Sequence, residues 1–482
     1  MEQGKIFERL LQLLSRYFDQ RETGTFIDYL DPDQLRQQLQ LEHQNKEGDW
    51  EAVFAWVEQY LAHAVKTSHP GYVNRMWAGA NPPSMIGEMV TAITNTSACT
   101  YETAPVSTLM EQYLLSTMLE LVGFATGSGQ MTTGSSNANM IAMMAARNNA
   151  DGAVKDQGLF GRPELFAFVN ADAHYSMDRA ANILGLGSAH LRKIPVDENG
   201  RMRIDLLEQQ LAEVVAQGGV PFFVAATAGT TVRGAYDRIE PLLALRERYR
   251  FWLHVDGAWG GAVIFSDRLR QQFLPHLSEA DSFTLDFHKM LGTALMCNVL
   301  LFNRQSLFLR EVCSAGDESY IFREGEHGEI RDLGTMSLQC GRRVDSLKWF
   351  LDWKFYGQAG LARRVEHYLE LCIYAEQQVQ RIDALELVAP RESFNICFRH
   401  RAPKGVPVAD FNKAIRERLH RNGRSLVGTG LVNGELVLRL LITNINVERP
   451  EIDDFFQAVI VTGRELLAEQ ERPQPQHQHE AA

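Results

Sequence analysis

Apolar residues recur along this chain with two different periods, which predict where helices and strands lie. Over the first part of the chain the period is helical. One predicted helical face carries Ile6, Leu10, Leu13, Leu14 and Tyr17. Asp31 before Pro32, and Asp49 before an apolar run, are typical of a helix N-terminus. Segment 1–83 is therefore predicted to be helical, and its apolar face can pack on the chain's own core or on a second subunit. The sequence NPPS (Asn81–Ser84) interrupts this pattern and marks a boundary.

Beyond this boundary, short apolar runs alternate with helical patterns. The predicted helices lie around SSNANMIAMMAARNNA, MDRAANILGLG, DLLEQQLAEVVAQ and IEPLLALRERYR. The predicted strands are Leu165–Val169, FFVAATA, FWLHVD, Ser282–Asp286 and CNVLLF. Strands that alternate with helices and are apolar on both faces indicate a mostly parallel sheet covered by helices. We therefore predict a large α/β domain over 84–349, a small α+β domain over 350–470 and a disordered polar tail over 471–482.

Composition and charge exclude several classes of protein. Of the 482 residues, 45% are hydrophobic and 22% are charged, which is ordinary for a globular chain. The net charge of -12 argues against a nucleic-acid partner, but a few local arginines can still bind an anionic small molecule. No apolar run approaches the ~20 residues of a membrane span, and the N-terminus resembles neither a signal nor a transit peptide.

The cysteine and histidine patterns do not indicate a metal site. The six cysteines are scattered without a CxxC pair, so neither a disulfide framework nor a structural zinc site is predicted. The two histidines of the polar tail are not a credible metal site either. We expect small core cysteines in a reducing compartment, which indicates a cytoplasmic protein without a metal and without a membrane anchor.

The ends of four predicted strands carry polar residues with chemical potential. In open α/β sheets, ligands bind beyond the carboxyl ends of the strands. His174 follows the first of these strands and Thr230 the second, Asp256 ends the third, and Lys289 follows the fourth. Ahead of them, the sequence TTGSSNAN (Thr132–Asn139) forms a glycine- and hydroxyl-rich turn that opens a helix.

Each of these residues also has an ordinary structural explanation. A Gly-Ser-Ser turn or an aspartate commonly caps a helix, a histidine commonly bonds a neighbouring loop, and a lysine after a strand is commonly exposed. Together they meet the needs of pyridoxal phosphate. Its phosphate favours a helix N-terminus, its ring nitrogen a carboxylate, its aldehyde a lysine amine and its ring face a flat partner such as His174.

Longer blocks of the chain resemble the group II pyridoxal-phosphate-dependent amino acid decarboxylases. The block HVDGAWGGA resembles the aspartate-containing strand of that family, and FHKMLGTALMC resembles its lysine motif. Two further blocks, TYETAPVSTLMEQ and QCGRRVDSLKWFLDWK, are also similar. The resemblance runs from about His69 to the early 440s and favours the branch of glutamate, cysteine sulfinate and aspartate 1-decarboxylases. It implies the type I, aspartate aminotransferase-like fold.

The resemblance also implies roles for individual residues. Lys289 should bond the cofactor aldehyde, Asp256 should pair with the pyridine nitrogen, and His174 should stack on the ring. Arg439 should hold the α-carboxylate of the substrate. The other cofactor contacts that it implies are Ser135, Ser136, Thr230, Ala258 and His288. Homodimers with active sites at the subunit interface are the rule in this family, so a homodimer is expected here.

The expected reaction is the α-decarboxylation of an acidic L-amino acid. Aspartate, giving β-alanine, and cysteine sulfinate, giving hypotaurine, are favoured, and glutamate, giving GABA, is possible. The alternatives are another enzyme of the same fold, such as a transaminase, because a fold does not fix a reaction, and a catalytically silent dimeric homologue. The complete set of Lys289, Asp256 and His174 argues against the silent homologue.

The chain departs from the family pattern at three places. Asp286 and Phe287 stand where Asn-Pro usually precedes His-Lys, and Gly134-Ser135 replaces a glycine pair; neither change removes a group that the mechanism needs. Arg75 follows Asn74 where relatives that use glutamate tend to carry glutamine. A guanidinium can bind a carboxylate or sulfinate bidentately and fills more space, which favours a shorter acidic side chain. Alternatively, Arg75 faces solvent or pairs with a neighbouring acid.

The segment Cys313–Gly334 lacks any helical or strand period and is predicted to be a mobile loop. In the family this stretch covers the site, and in several members it carries a tyrosine that reprotonates the α-carbon. The nearest ionisable candidate here is His327, since a histidine suits a general acid near neutral pH. Alternatively, His327 is a solvated loop residue and His174 or water supplies the proton.

Overall fold

The computed structural model describes residues 3–41, 47–313, 318–323 and 331–470. The chain forms two compact units. The first comprises Met1–Gly79, Leu371–Ala389 and Ile396–Ala482, and the second comprises Ala80–Glu370 and Pro390–Asn395. The predicted tail 471–482 lies outside the described residues.

Helices occupy both units. Numbered along the chain, they are α1 (Gln3–Gln20), α2 (Pro32–Leu39), α3 (Trp50–His63), α4 (Pro82–Thr94), α5 (Pro105–Val122), α6 (Ser135–Ala150), α7 (Val154–Gln157), α8 (Ser176–Ile183), α9 (Ile204–Ala216), α10 (Ile239–Tyr249), α11 (Asp267–Phe273), α12 (Ser306–Cys313), α13 (Asp345–Arg381), α14 (Val408–Arg421) and α15 (Arg449–Gln470). Short 3-10 helices lie at Ser188–His190, Gly260–Phe265, Leu277–Glu279 and Leu333–Met336. In the part of the chain that the structure describes, no helix is both long and apolar enough to cross a membrane.

The strands build two sheets. They are β1 (Tyr72–Val73), β2 (Ser128–Thr132), β3 (Leu165–Asn170), β4 (Leu191–Ile194), β5 (Val220–Thr227), β6 (Trp252–Asp256), β7 (Ser282–Asp286), β8 (Asn298–Phe302), β9 (Leu385–Leu387), β10 (Asn395–His400), β11 (Leu426–Val432) and β12 (Glu435–Leu441).

The second unit contains a seven-stranded sheet in the order β2-β8-β7-β6-β5-β3-β4. The strands from β7 to β4 pair in parallel, whereas β8 runs antiparallel to both β7 and β2. Strands β3, β6 and β7 are buried at every position. Alternate residues of β3 (Leu165, Ala167 and Val169), together with residues of β5 and β8, pack with α6, α8 and α12 in one apolar core. The predicted mostly parallel sheet and the α/β fold class are therefore confirmed.

The sheet brings several chain segments to one edge. Because β5, β6 and β7 are parallel neighbours, their last residues Thr227, Asp256 and Asp286 lie at the same edge. Strand β8 begins there at Asn298, which is paired with both Asp286 and Thr132, the last residue of β2. Helix α6 starts three residues after Thr132, so its N-terminus is held at this edge as well.

The first unit contains a five-stranded sheet in the order β1-β11-β12-β10-β9. Strand β1 pairs in parallel with β11, and β11 forms an antiparallel hairpin with β12. The turn of this hairpin holds Asn433 and Gly434 in the left-handed region, which suits these two residue types. The short strands and helices of this unit give it the α+β character expected for the C-terminal part of the chain.

Candidate active site

Asp256 ends β6 as a buried carboxylate whose oxygens both accept hydrogen bonds. Its Oδ2 accepts from Asn139 Nδ2 at 2.9 Å, and its Oδ1 accepts from the backbone N–H of Ala258 at 3.1 Å. The side chain is 5% exposed. Both donors are neutral groups, so the negative charge is stabilised by dipoles and not by a cation.

A chain of hydrogen bonds orients the amide that donates to Asp256. Trp252 Nε1 donates to Ser282 Oγ at 2.8 Å, and that hydroxyl lies 2.8 Å from His254 Nδ1. His254 Nε2 lies 3.0 Å from Asn139 Oδ1. Because the amide oxygen of Asn139 faces the ring, His254 donates from Nε2 and accepts at Nδ1, so every bond in the chain runs toward Asp256. Complete burial lowers the pKa of His254 to about 4, which keeps the ring neutral.

This chain of hydrogen bonds was not predicted from the sequence, although a signal for it exists. Asn139 lies four residues after Ser135, so both side chains lie on the same face of α6. His254 lies two residues before Asp256, so the two side chains point to the same face of β6. Neither spacing shows that the helix face and the strand face meet, because that depends on the packing of α6 on the sheet.

Lys289 lies just after β7 and pairs with the last residue of that strand. Its Nζ is 3.0 Å from Asp286 Oδ2, and its side chain is 20% exposed. Asp286 Oδ1 accepts from Asn298 Nδ2 at 2.8 Å and from the backbone N–H of Ser135 at 3.2 Å. Asn298 Nδ2 also donates to Ser135 Oγ at 2.9 Å. The lysine and the N-terminus of α6 therefore share one buried carboxylate.

His288 is buried between the lysine and β8. Its Nδ1 lies 2.8 Å from the carbonyl oxygen of Cys297 and 3.8 Å from Asp286 Oδ1. Burial lowers the pKa of His288 below its ordinary value, although Asp286 opposes this shift. The ring is therefore neutral at pH 7.

His174 is half-buried and belongs to the same electrostatic cluster. Burial is the largest effect and lowers the pKa of His174; Asp256 and Asp286 raise it, whereas Lys289 lowers it further. The net shift is downward, so the ring is neutral at pH 7. Its Nδ1 accepts from the backbone N–H of Ser176 at 3.2 Å, which leaves the proton on Nε2. The structure therefore places His174, Asp256, Asp286 and Lys289 in one electrostatic cluster.

The remaining predicted cofactor contacts lie in the turns at this edge. Ser135 and Ser136 open α6 after Gly134, which has a φ of 115°. Ser135 is buried and Ser136 is exposed. Thr230 is buried, and its Oγ1 accepts from the backbone N–H of Ala235 at 3.0 Å. Ala258 contacts Asp256 through its backbone, as described above.

This set of groups fits pyridoxal phosphate part by part. A helix N-terminus with hydroxyls suits the phosphate, a buried carboxylate suits the ring nitrogen, and an amine suits the aldehyde. The three groups lie at one edge of one sheet, and a neutral imidazole lies within electrostatic reach of two of them.

The predicted substrate residues lie in the first unit. Arg439 on β12 is 8% exposed, and its Nη2 donates to the backbone carbonyl of Asn74 at 3.0 Å. Its β11 partner is Gly428, where a Cβ would come within 3.2 Å of the Arg439 guanidinium. Arg75 is exposed. Burial lowers the pKa of Arg439, and the nearby charge of Arg75 lowers it further. The structure therefore gathers two guanidiniums beside Asn74.

His327 lies outside the described residues, so its suggested role in reprotonation remains a prediction from the sequence.

Comparisons with known proteins give the relatives of the whole chain. Residues 32–401 match the family model of the pyridoxal-dependent decarboxylase conserved domain. The chain is 34% identical over 451 residues to cysteine sulfinic acid decarboxylase of Mus musculus, covering 91% of both proteins. It is 32% identical over 447 residues to acidic amino acid decarboxylase GADL1 of Homo sapiens, covering 90% of this chain and 85% of that protein. The crystal structure of mouse CSAD matches with a TM-score of 0.88 at 32% identity, covering 94% of this chain and 99% of the other.

Proposed function

The chain belongs to the family of pyridoxal-dependent decarboxylases, and on that premise we propose that it releases the α-carboxylate of an acidic L-amino acid as carbon dioxide. Its cofactor is pyridoxal 5'-phosphate. When bound, the protonated pyridine ring of the cofactor accepts the electron pair that the departing carboxylate leaves behind. The protein itself has to bind the two molecules, orient them and keep the right protons in place.

In this proposal, each group at the edge of the seven-stranded sheet has one task. Lys289 holds the aldehyde carbon of the cofactor through its amine, Asp256 keeps a proton on the ring nitrogen, and His174 lies against the ring face. The observation that carries the proposal is geometric: helix α6 donates to Asp256 through Asn139 and to Asp286 through the Ser135 N–H, and Asp286 in turn lies 3.0 Å from Lys289 Nζ. The described donors to Asp256 are both neutral, so this carboxylate can take the ring nitrogen as its charged partner.

We assign the phosphate to the N-terminus of α6. Ser135 and Ser136 offer hydroxyls there, and the positive end of the helix dipole favours an anion. The neutral His288 lies beside the same carboxylate as Ser135. Thr230 and Ala258 are assigned to the walls around the cofactor.

We assign the substrate α-carboxylate to Arg439. A buried guanidinium binds a carboxylate through two parallel hydrogen bonds and so fixes its orientation. The backbone carbonyl of Asn74 holds one end of the guanidinium. A carboxylate held in this way would have a fixed orientation, which selective cleavage of one bond requires.

We propose that Arg75 binds the acidic side chain and favours aspartate and cysteine sulfinate over glutamate. An acidic amino acid carries two anionic groups, and Arg75 lies close enough to Arg439 to lower its pKa. Two neighbouring guanidiniums suit two anions separated by a short side chain. The names of the relatives above, a cysteine sulfinic acid decarboxylase and an acidic amino acid decarboxylase, support the same substrate class.

We also propose that the enzyme is a homodimer. Helix α4 exposes four apolar side chains, Ile86, Met89, Val90 and Ile93. Helix α5 exposes Val106, Leu109 and Tyr113. Apolar patches of this kind commonly mark a contact with another protein. Light scattering should give twice the 54.4 kDa mass of one chain, and a monomer at micromolar concentration would contradict the proposal.

A screen of carbon dioxide release from the common L-amino acids tests the proposed reaction. We expect release from aspartate and cysteine sulfinate, weaker release from glutamate and none from aromatic amino acids, with one amine formed for each carbon dioxide. A keto acid without carbon dioxide would mean transamination instead. Purified protein without a visible cofactor band and without any turnover would mean a silent homologue.

A further inference from the structure

Asp286, the residue before Phe287 and His288, is a carboxylate where the usual lysine motif has an amide, and it has three close partners. Asp286 faces Lys289 Nζ with one oxygen, at 3.0 Å. The other oxygen accepts from Asn298 Nδ2 and from the backbone N–H of Ser135. The two oxygens therefore have different partners: Oδ1 accepts hydrogen bonds from neutral donors, and Oδ2 contacts the lysine amine.

The charged groups around Asp286 determine whether its carboxyl group is ionised. Burial, the largest effect, raises the pKa of Asp286, but the charge of Lys289 and the hydrogen bonds from Lys289 and Asn298 lower it, and the net shift is downward. Asp286 is therefore ionised at neutral pH. The described titratable groups that interact with Asp286 are Lys289, His288, His174 and Cys297. Both histidines have lowered pKa values and are neutral at pH 7, and Lys289 makes the closest contact.

We propose that Asp286 is the counter-ion of Lys289 and holds a proton on the lysine nitrogen, both in the free lysine and after it has bonded the cofactor. This inference rests on the proposed role of Lys289. An ammonium group cannot attack the cofactor aldehyde until it loses a proton, so the carboxylate slows cofactor loading. Once the cofactor is bound, the same charge keeps the nitrogen protonated to higher pH. The usual amide would do neither, because it carries no charge.

The variant Asp286→Asn isolates this charge. An asparagine has nearly the same shape, and its Oδ1 can still accept from Asn298 and from the Ser135 N–H. Its Nδ2 then faces Lys289, where a donor disfavours a protonated nitrogen. The matched control is Asp237→Asn, since Asp237 is also buried and accepts from the backbone N–H groups of Met202 and Thr227, but it does not contact Lys289.

The first measurement is the pH titration of the visible cofactor band in the loaded enzyme. We expect the midpoint of the spectral change to fall by about one pH unit or more in Asp286→Asn, since a charge within this distance shifts a neighbouring titration by that amount. Asp237→Asn should keep the wild-type midpoint. A midpoint that is the same in Asp286→Asn and the wild type would overturn the proposal. If the asparagine variant does not fold, as judged by its circular dichroism, Asp286→Ser replaces it with the same expectation.

The second measurement separates this proposal from the role of Lys289 itself. The full-length chain, freed of cofactor, is treated at pH 8 with an amine-directed acylating reagent, and modification of Lys289 is followed by peptide mapping. We expect labelling about tenfold faster in Asp286→Asn than in the wild type, because more of the amine is neutral. An equal rate would overturn the counter-ion proposal even if Lys289 bonds the cofactor. Faster labelling with the cofactor mapped to another lysine would support the counter-ion role in the free lysine and would overturn the part that concerns the bonded lysine.

Discussion

Two aspartates end two neighbouring parallel strands, and their surroundings differ. Asp256 at the end of β6 and Asp286 at the end of β7 are both buried, with 5% and 3% exposure. Asp256 accepts from an amide and a backbone N–H, whereas Asp286 lies 3.0 Å from an ammonium group. One carboxylate is stabilised by dipoles and the other is paired with a cation.

This difference shows that the position of a residue at a sheet edge does not fix its task. The partners decide it, and they come from other elements: Asn139 from the second turn of α6, and Lys289 from the turn after β7. A carboxylate that has no cationic partner can hold a proton on the nitrogen of a bound ligand, as proposed for Asp256. A carboxylate that is paired with an amine can keep a proton on that amine, as proposed for Asp286. The following changes test this contrast.

The largest effect is expected from Lys289→Ala, which removes the cation at the β7 end. The visible cofactor band should disappear, and carbon dioxide release should fall on the order of a thousandfold or more, because the amine assigned to the aldehyde is gone. Absorption spectra and a carbon dioxide assay check both outcomes. The matched control is Lys404→Ala, an exposed lysine of the first unit that should leave both readouts unchanged. Retained turnover in Lys289→Ala would contradict the assignment of the whole site.

The next largest effect is expected from Asp256→Asn, which removes the negative charge at the β6 end. Cofactor should still bind in part, since Lys289 is intact, but kcat should fall about 10²–10⁴-fold, because an unprotonated ring is a poor electron acceptor. Steady-state kinetics at saturating cofactor measure this loss. Near-normal rates would mean that another residue protonates the ring.

A smaller effect is expected from Asn139→Ala, which leaves the charge of Asp256 but removes the amide that donates to it. We expect kcat to fall about tenfold to a hundredfold, since the loss of a donor to a buried carboxylate costs about 1–3 kcal/mol. The exposed Asn149 on the same helix provides the control variant Asn149→Ala. If both variants keep the wild-type rate, the chain of hydrogen bonds behind Asp256 is structural only.

The smallest effect is expected from Arg75→Gln. Arg75 belongs to the first unit, whereas the two compared aspartates belong to the second. The cofactor spectrum should not change, but kcat/KM for aspartate and cysteine sulfinate should fall about tenfold relative to glutamate, because a charged pair is lost. The exposed Arg36 allows a matched Arg36→Gln control. An unchanged ranking of the three acids would refute the role of Arg75 in specificity.

Much of the second unit follows from the sequence, and the missing parts have a physical reason. The predicted strand Ser282–Asp286 has the same bounds as β7, because apolar Phe283 and Leu285 alternate with polar residues. Strand β2 (Ser128–Thr132) was not predicted, since SGQMT carries few apolar residues. Its burial comes from the neighbouring strand: a Cβ on Gly129 would meet Leu301 at 2.7 Å. The reversed direction of β8 likewise depends on pairing that no local pattern contains.

The candidate site shows the same limit. The motifs predicted which residue types gather at the sheet edge, because lysine, aspartate and histidine at strand ends are rare together. The motifs could not predict the hydrogen-bond partners of those residues. Asn298 donates to Asp286 and to Ser135 only because β8 pairs with both β7 and β2. From the sequence, the carboxylate that replaces the usual amide at residue 286 was expected to leave the mechanism unaffected. The structure instead gives Asp286 a contact with Lys289.

Mapping the lysine that carries the cofactor tests the central claim most directly. The loaded wild-type enzyme is reduced with borohydride, digested and analysed by mass spectrometry. The account predicts that the pyridoxyl group is found on the peptide containing Lys289 and that the visible band is lost on reduction. A pyridoxyl group on any other lysine, or reduced protein without one, would contradict it.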